Sequence, residues 1–185
     1  MDAFEQLIGK LLEEENYWVR LSVKVELTKE EKRAIGSPSN PRPEIDIVAF
    51  DAATRRLYLI EAKSYLDSKG VMYDQVVEVN DKQVGRYKLL TSENYRKVVE
   101  HRILEDWKSR GIIPEDTKVT YGLVAGKVYS ERKSKERERE LEEYFKAREW
   151  FFWGPKTIRE KIIALSKKGY ENSGYTVVAK ILMRL

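Results

Sequence analysis

The sequence predicts an α/β protein built on a mixed sheet, with the element order helix, strand, strand, strand, helix, strand. Two observations carry this prediction. An amphipathic helix pattern opens the chain, and three apolar strand patterns follow it before the next long helix. A further strand pattern, at residues 119–128, comes after that helix. We expect additional helices and a closing strand in the last third of the chain.

Residues 2–15 have the spacing of an amphipathic helix. Apolar side chains recur three and four positions apart on one face: Phe4, Leu7, Ile8, Leu11 and Leu12. At about 100° per residue, Glu5 lies beside Leu12 at the edge of this stripe, and the other acids of the helix point farther away. Glu5 is therefore the helix carboxylate best placed to reach the interior. A boundary residue that faces water fits the same position.

Residues 17–27 alternate apolar and polar side chains and are predicted to form the first strand. Residues 28–43 follow, first as a charged piece and then as a segment with prolines at Pro38, Pro41 and Pro43. Prolines at this density exclude a helix or a central strand. We expect an exposed connection, which is either a plain link or a flap beside a functional site.

Residues 44–51 and 57–63 are the strand pair around which the chain is organised. Both segments are dense in Ile, Val, Leu, Phe and Tyr, which suit a pleated and buried surface. Three charged residues interrupt them: Asp46, Glu61 and Lys63. These charges need an explanation beyond packing, because burying a charge is costly unless it is paired.

The short turn between the two strands sets how these charges meet. We expect it to place Asp51 opposite Arg56. Asp46 then falls opposite Glu61, and Lys63 lies on the same face. Opposed carboxylates repel each other, so a compensating cation is needed. Lys63 is one candidate, and a divalent metal ion is the better one, because Mg²⁺ usually takes one or two carboxylates plus waters from a protein.

Two helix patterns follow. Residues 74–90 have helical spacing, which places Gln83 and Tyr87 four positions apart on one face. Ser92 then has the position of an N-cap, and the next helix is predicted to end at Gly111. Its buried stripe consists of Tyr95, Val99, Ile103 and Trp107.

The last third of the chain combines charged and aromatic segments. Residues 130–148 predict a helix whose mixed charges are typical of a solvated face with ion pairs. Phosphate-backbone contact is the alternative for its basic side chains: Arg132, Lys133, Lys135, Arg137 and Arg139. Residues 150–153 predict a core strand, with a dimer contact or a base-stacking platform as alternatives. A basic amphipathic helix over 157–168 and a closing strand over 175–185 complete the prediction.

Length and composition limit the class of protein. The 185 residues predict one domain, with a core from 2 to about 128 and an extension over 129–185. Hydrophobic content of 42% and charged content of 36% are typical of a soluble globular protein. No apolar run approaches the roughly 20 residues that span a membrane, and the N-terminus lacks signal-peptide features, so a cytoplasmic location is expected. The excess of Glu and Lys over Asn and Gln suggests a thermophilic source.

Composition also excludes several kinds of site. The absence of cysteine excludes disulfides, thiolate metal sites and Fe–S clusters. The single histidine, His101, lies off the buried stripe of its helix and is expected to face solvent. A serine–histidine–aspartate triad at His101 is therefore not predicted. The net charge of +4 permits a nucleic-acid partner without requiring one.

Element order and charged positions together resemble the PD-(D/E)XK nuclease superfamily over residues 2–128. The residues that carry the likeness are Pro43-Glu44-Ile45-Asp46 and Glu61-Ala62-Lys63, with Glu5 in support. Gln83-x-x-x-Tyr87 is similar to the motif of the RecB-like exonuclease branch, where it would contact the substrate or support the site. The superfamily's Pro-Asp is here Pro43-x-x-Asp46, with a second acid at Glu44. Asp46 lies deeper in the strand and is the preferred metal ligand, with Glu44 left open.

The resemblance implies a restriction-endonuclease-like αβββαβ core, arranged as a three-layer sandwich, that hydrolyses phosphodiester bonds with Mg²⁺ or Mn²⁺. Nucleic acid, and DNA in particular, is the implied substrate, with endonuclease and exonuclease action both open. A homodimer is compatible with cleavage of both strands, and no membrane partner is expected. The alternative is a nuclease-fold protein without catalytic activity that binds nucleic acid or assembles with a partner.

The resemblance also implies roles for individual residues. Asp46 and Glu61, with the backbone carbonyl of Ala62, would hold the metal ion. Lys63 would orient or help deprotonate the attacking water and offset negative charge in the transition state. Glu5 would position a second metal ion or a metal-bound water.

Overall fold

Five strands form one mixed sheet at the centre of the fold. A computed structural model describes residues 2–36, 42–78, 86–130, 134–169 and 171–184. The strands are β1 (Trp18–Lys24), β2 (Glu44–Asp51), β3 (Arg56–Lys63), β4 (Lys118–Ala125) and β5 (Phe151–Trp153), and they lie side by side in chain order. The pairings β1–β2 and β2–β3 are antiparallel, whereas β3–β4 and β4–β5 are parallel. The predicted α/β class with a mixed sheet is confirmed.

Helices cover both faces of the sheet. They are α1 (Ala3–Glu13), α2 (Lys29–Ala34), α3 (Tyr73–Val77), α4 (Lys88–Thr91), α5 (Glu93–Ser109), α6 (Ser134–Lys146), α7 (Pro155–Ser166) and α8 (Gly174–Leu182). One apolar core joins α1 and α7 to the sheet, around Ile8, Ile47 and Ile158. We call this side the α1 face. The opposite side, the α5 face, holds a core around Val48, Val99 and Ile103.

Several helix and strand ends lie where local rules predict them. Asp2 caps α1 through the backbone N–H of Glu5, in a reciprocal capping box. The Ser92 side chain accepts a hydrogen bond from the Tyr95 N–H and so caps α5. Gly111, just past α5, has the positive φ of 65° that ends a helix at little steric cost. The aromatic segment forms β5 as predicted, with Trp153 buried.

The predicted register of the β2–β3 hairpin is confirmed, but the pairing is shorter than the strands. It runs from Asp51↔Arg56 to Ile47↔Ile60 and stops there. The outer pairings continue farther: β1–β2 reaches Lys24↔Glu44, and β3–β4 reaches Lys63↔Ala125. The adjacent ends of β2 and β3 are therefore unpaired with each other, which leaves a gap between two central strands.

The predicted closing strand over 175–185 is wrong, because Gly174–Leu182 forms the helix α8. The β-branched residues Val177 and Val178 suggested a strand, yet both are exposed. Thr176 and Ala179, three positions apart, are the buried side chains of this helix. Packing on a helical period therefore overrides local strand propensity here.

The predicted helix over 74–90 is also corrected. α3 ends at Val77 because Glu78 adopts an extended backbone, with φ −95° and ψ 129°. Tyr87 has φ −131° and ψ 41° and directly precedes α4, so it belongs to no helical face. Gln83 lies outside the described residues.

The connection before β2 is partly helical. The predicted loop over 28–43 begins with α2, which Thr28 and Glu31 stabilise through a reciprocal capping box. Residues 37–41, which carry the predicted flap, lie outside the described residues.

The charged helix α6 carries the predicted ion pairs. Arg137 lies 2.6 Å from Glu140, and Arg139 lies 3.5 Å from Glu143. Arg132 and Lys133 lie outside the described residues, and contact with phosphate stays a prediction. Within the described part of the chain, no helix is long and apolar enough to cross a membrane.

The close approach of β4 and β5 gives a test of this architecture. A Cβ atom at Gly122 would lie 2.8 Å from Phe151 Cβ and 3.0 Å from its carbonyl oxygen. We expect Gly122→Ala to reduce the free energy of unfolding by about 1–3 kcal/mol, measured by urea denaturation. Gly174→Ala is the control, since no described atom lies within 4 Å of its added Cβ. Equal stability of the two variants would contradict the β4–β5 pairing.

Candidate functional site

Three charged side chains meet at the gap between β2 and β3. The Lys63 ammonium lies 3.0 Å from Asp46 Oδ2 and 2.9 Å from Glu61 Oε2. Two acids thus share one base. The three residues predicted from the strand pattern are in direct contact.

Asp46 is fixed by a main-chain hydrogen bond as well as by Lys63. The Ala62 N–H donates to Asp46 Oδ2 at 2.8 Å. Ala62 has no residue of β2 paired with it at this point, because the ladder ends at Ile60. The carboxylate therefore takes the place of the missing strand partner and spans the gap.

The cluster is partly buried and partly accessible. Side-chain exposure is 21% for Asp46, 18% for Glu61 and 21% for Lys63. Burial raises the pKa of Glu61, and Asp46 raises it further, although Lys63 acts in the opposite direction. Burial alone would lower the pKa of Lys63, but the two carboxylates together raise it above the ordinary value of 10.5. The base is thus held in its charged form.

Two tyrosines lie close to these carboxylates on the α5 face. Burial, followed by the proximity of Glu61 and then Asp46, raises the pKa of Tyr95 to about 12. Tyr87 is fully buried, and its hydroxyl lies near Tyr65 and Glu61 without a hydrogen bond of normal geometry to any described residue. Tyr87 therefore stands behind Glu61 and has no surface for a substrate in this conformation.

Tyr95 is a neighbour of the site that the sequence pattern assigned only to the core. Its place in the buried stripe of α5 predicted packing, and it does pack against the α5-face core. Tyr95 lies in the first turn of that stripe, where leucine or valine would pack as well. The tyrosine at this position is therefore the sequence signal for a polar neighbour.

Glu5 reaches inward from α1, as predicted, and is 9% exposed. Its carboxylate accepts hydrogen bonds from the Asp2 N–H at 3.2 Å and from Ser22 Oγ at 3.3 Å. The pairs Leu21↔Ile47 and Val23↔Ile45 join β1 to β2. Ser22 lies between these pairs on β1, and Asp46 lies between them on β2. Glu5 is thus connected to the neighbourhood of Asp46 through Ser22.

The two acids left open at the start of β2 differ in position. Glu44 is exposed and pairs with Lys24 at the end of the β1–β2 ladder. Asp46 lies at the gap and contacts Lys63. The geometry thus joins Asp46, and not Glu44, to the other two charged residues.

The donor atoms at the gap fit a hard divalent cation. Among the described residues, no group of three or more His, Cys, Asp and Glu side chains is arranged to hold a metal ion. Asp46 and Glu61 still offer carboxylate oxygens, and the described contacts of Asp46 all use Oδ2. Mg²⁺ is commonly bound by one or two carboxylates and several waters, so this donor set is sufficient for it.

Glu61→Gln tests the electrostatics of the cluster in metal-free protein. The pKa of Glu61 is higher in the folded protein than its ordinary value of 4.5, so the wild type loses stability as the pH rises through the folded pKa. Glutamine cannot ionise. We therefore expect the stability of the variant relative to wild type to increase from about pH 4 to about pH 8, measured by urea unfolding with chelator present.

Glu143→Gln is the matched control, because the Glu143 side chain is 69% exposed. Glu93→Gln is a second control, because its hydrogen bond with Lys97 lowers the pKa of Glu93, so the stability of that variant relative to wild type should not increase with pH. A relative stability of Glu61→Gln that falls as the pH rises would show that Glu61 is not a destabilised carboxylate.

Comparison with known proteins adds little to this picture. No protein-family model and no curated protein matches the sequence. A solved structure titled "Crystal Structure of Protein of Unknown Function AF1548" is similar, with 14% identity over 99% of this chain and 78% of that chain. Its TM-score is 0.38, which is too low to carry an argument about fold or function.

Proposed function

We propose that the protein is a metal-dependent nuclease that hydrolyses phosphodiester bonds of nucleic acid, with DNA as the first substrate to test. The supporting observation is the meeting of Asp46, Glu61 and Lys63 at the place where the strands β2 and β3 separate. Apart from the short helices α2, α3 and α4, the order of helices and strands through β4 is the αβββαβ order of the core that this proposal includes.

The charge of the cluster supports a requirement for a metal ion. Two carboxylates and one ammonium group leave a net negative charge at the gap, which would repel the phosphate of a nucleic acid. A divalent cation would reverse the sign of the local charge. A bound cation would therefore allow the cluster to attract a phosphate, whereas a purely structural ion pair needs no cation.

Three oxygen donors are available to hold the cation. Asp46 and Glu61 supply carboxylates. The third is the carbonyl of Ala62, because the N–H and C=O groups of one strand residue point toward the same neighbour, and the Ala62 N–H points toward Asp46. Oxygen donors of this kind suit Mg²⁺ and Mn²⁺.

A bound divalent cation would polarise the scissile phosphate and lower the pKa of the attacking water. Lys63, held charged beside the two acids, would donate hydrogen bonds to the water or to the phosphate and offset negative charge in the transition state. Glu5, turned inward beside Ser22, would hold a second cation or a water molecule. Tyr87 would support Glu61 from behind, without touching the substrate.

One observation favours the alternative of a protein that binds or assembles without cleaving. Lys63 already contacts both carboxylates and offsets part of their charge without a metal ion. A divalent cation has to compete with this ammonium group for the same oxygens. Metal affinity and cleavage must therefore be measured separately.

Cleavage of single-stranded and double-stranded DNA in Mg²⁺ or Mn²⁺ tests the catalytic proposal. We expect Asp46→Asn and Lys63→Met each to reduce the cleavage rate by about a hundredfold or more, because each removes a charge that acts on the reacting groups. Asn keeps an acceptor for the Ala62 N–H, so the fold of this variant is spared.

The controls carry the same substitutions at the far end of the sheet. Asp51→Asn lies at the other end of β2, and Lys118→Met lies at the start of β4, opposite Arg56. Both variants should cleave at nearly the wild-type rate. Cleavage that persists undiminished in Asp46→Asn and Lys63→Met would remove these residues from the reaction.

Titration with Mn²⁺ by calorimetry separates the two candidate functions. We expect the wild type to bind Mn²⁺ and Glu61→Gln to bind it roughly tenfold more weakly or worse, because one carboxylate ligand is lost. Lys63→Met should bind as tightly as wild type or more tightly, because the competing ammonium group is gone, although it no longer cleaves.

Two results would favour the alternative function. One is a wild-type protein that binds no Mn²⁺. The other is Mn²⁺ binding that Glu61→Gln leaves unchanged, since the ion would then sit elsewhere.

A further inference from the structure

On the paired strands β1 and β2, the side chains change from one face of the sheet to the other at the same position along the pairing. Residues two apart on a strand normally share a face. On β1, however, Leu21 packs in the core of the α1 face and Val23 in the core of the α5 face. On β2, Ile47 packs in the α1 face and Ile45 in the α5 face.

The reversal does not arise from an inserted residue. The pairs Leu21↔Ile47 and Val23↔Ile45 keep the same register on both sides of it. A β-bulge would place two residues of one strand opposite one residue of the other. The change of face is therefore a rotation of the backbone at the position between these pairs, which is Ser22 on β1 and Asp46 on β2.

Ser22 has the backbone conformation that such a rotation needs. Its φ is +52°, in the left-handed region. This conformation is sterically unfavourable for a residue with a Cβ atom, and regular β-strands do not contain it. Ser22 also donates its hydroxyl hydrogen to Glu5 from this position.

Asp46 lies at the corresponding point of β2, and its surroundings change there too. The β2–β3 ladder ends at Ile47↔Ile60, which is one residue away from Asp46. Beyond it, the Asp46 side chain accepts the Ala62 N–H across the gap and contacts Lys63. The left-handed residue and the opening of the sheet therefore coincide on adjacent strands.

We propose that Ser22 is a positioning residue for Asp46: its left-handed backbone turns β1 and β2 together, so that the Asp46 carboxylate enters the gap against Ala62 and Lys63. The metal-binding consequence of this placement rests on the proposed function, but the placement itself does not. Ser22 acts through the backbone of its neighbour strand and does not touch the reacting groups.

Two substitutions at Ser22 separate backbone conformation from side-chain chemistry. Valine is β-branched and strongly disfavours positive φ, whereas glycine accepts it freely. Both remove the hydroxyl group. We expect Ser22→Val to withdraw Asp46 from the gap and Ser22→Gly to leave it in place.

The readout is the exchange rate of the Ala62 amide hydrogen in metal-free protein, measured by NMR relative to that of Tyr58. Tyr58 pairs with Ala49 in the middle of the β2–β3 ladder and reports the general stability of the hairpin. We expect the Ala62 to Tyr58 ratio to rise about tenfold or more in Ser22→Val and to stay within about twofold of wild type in Ser22→Gly.

Asn16→Val is the matched control. Asn16 also has a positive φ, 68°, but it precedes β1 and lies away from the gap. This variant should lose stability in general while its Ala62 to Tyr58 ratio stays near wild type. If Ser22→Val does not fold, Ser22→Thr replaces it, since threonine is β-branched like valine and so disfavours positive φ more than serine does.

The outcomes separate this inference from the proposed function. A wild-type exchange ratio in Ser22→Val, or equal ratios in Ser22→Thr and Ser22→Gly, would overturn the role of Ser22. Calorimetric Mn²⁺ affinity of the same variants should fall about tenfold in Ser22→Val and remain in Ser22→Gly. If the wild type binds no Mn²⁺, the proposed function fails, while the exchange ratios still decide the role of Ser22.

Discussion

One backbone N–H group governs the arrangement of the candidate site. Ala62 has no partner in β2 where β2 turns away from β3, and a buried N–H group without a partner costs free energy. The Asp46 carboxylate accepts that hydrogen bond and brings a negative charge into the gap. Lys63 balances this charge and holds Glu61 beside it. Asp46 satisfies the unpaired N–H group, and Lys63 balances the charge that Asp46 brings. The cluster therefore follows from the separation of two strands.

The rest of the fold stabilises this concentration of charge. Burial raises the pKa of Glu61, so its ionised form reduces stability, and carboxylates perturbed in this way are concentrated at functional sites. The opposing stabilisation comes from apolar packing directly beside the gap, where Ile47, Leu59 and Ile60 are fully buried. Cores on both faces hold the two strands firmly up to the point where they part. The site can therefore be open at one end without loosening the sheet.

The sequence predicted those features whose causes are local. The short turn after Asp51 and the two-residue period of strands determined the β2–β3 register, and the Ser92 side chain marked the start of α5. Features decided by distant contacts were missed. Val177 and Val178 have strand propensity, but packing against α7 makes their segment a helix. The left-handed backbone of Ser22 has no sequence signal, because serine rarely adopts it. The charged residues of the site were thus predictable, whereas the rotation that orients Asp46 was not.

The division between local and non-local pairing also sets an order of events in folding. The β2–β3 hairpin closes a short turn, whereas the parallel pairing of β3 with β4, which sets Lys63 opposite Ala125, requires closure of a long loop. Hairpins form within microseconds, and non-local pairings follow later. The segments that carry Asp46 and Glu61 can therefore form while water still surrounds both carboxylates, before α5 and Tyr95 pack over the strands. In this order, the dehydration of Glu61 belongs to the late packing step and not to the closing of the hairpin.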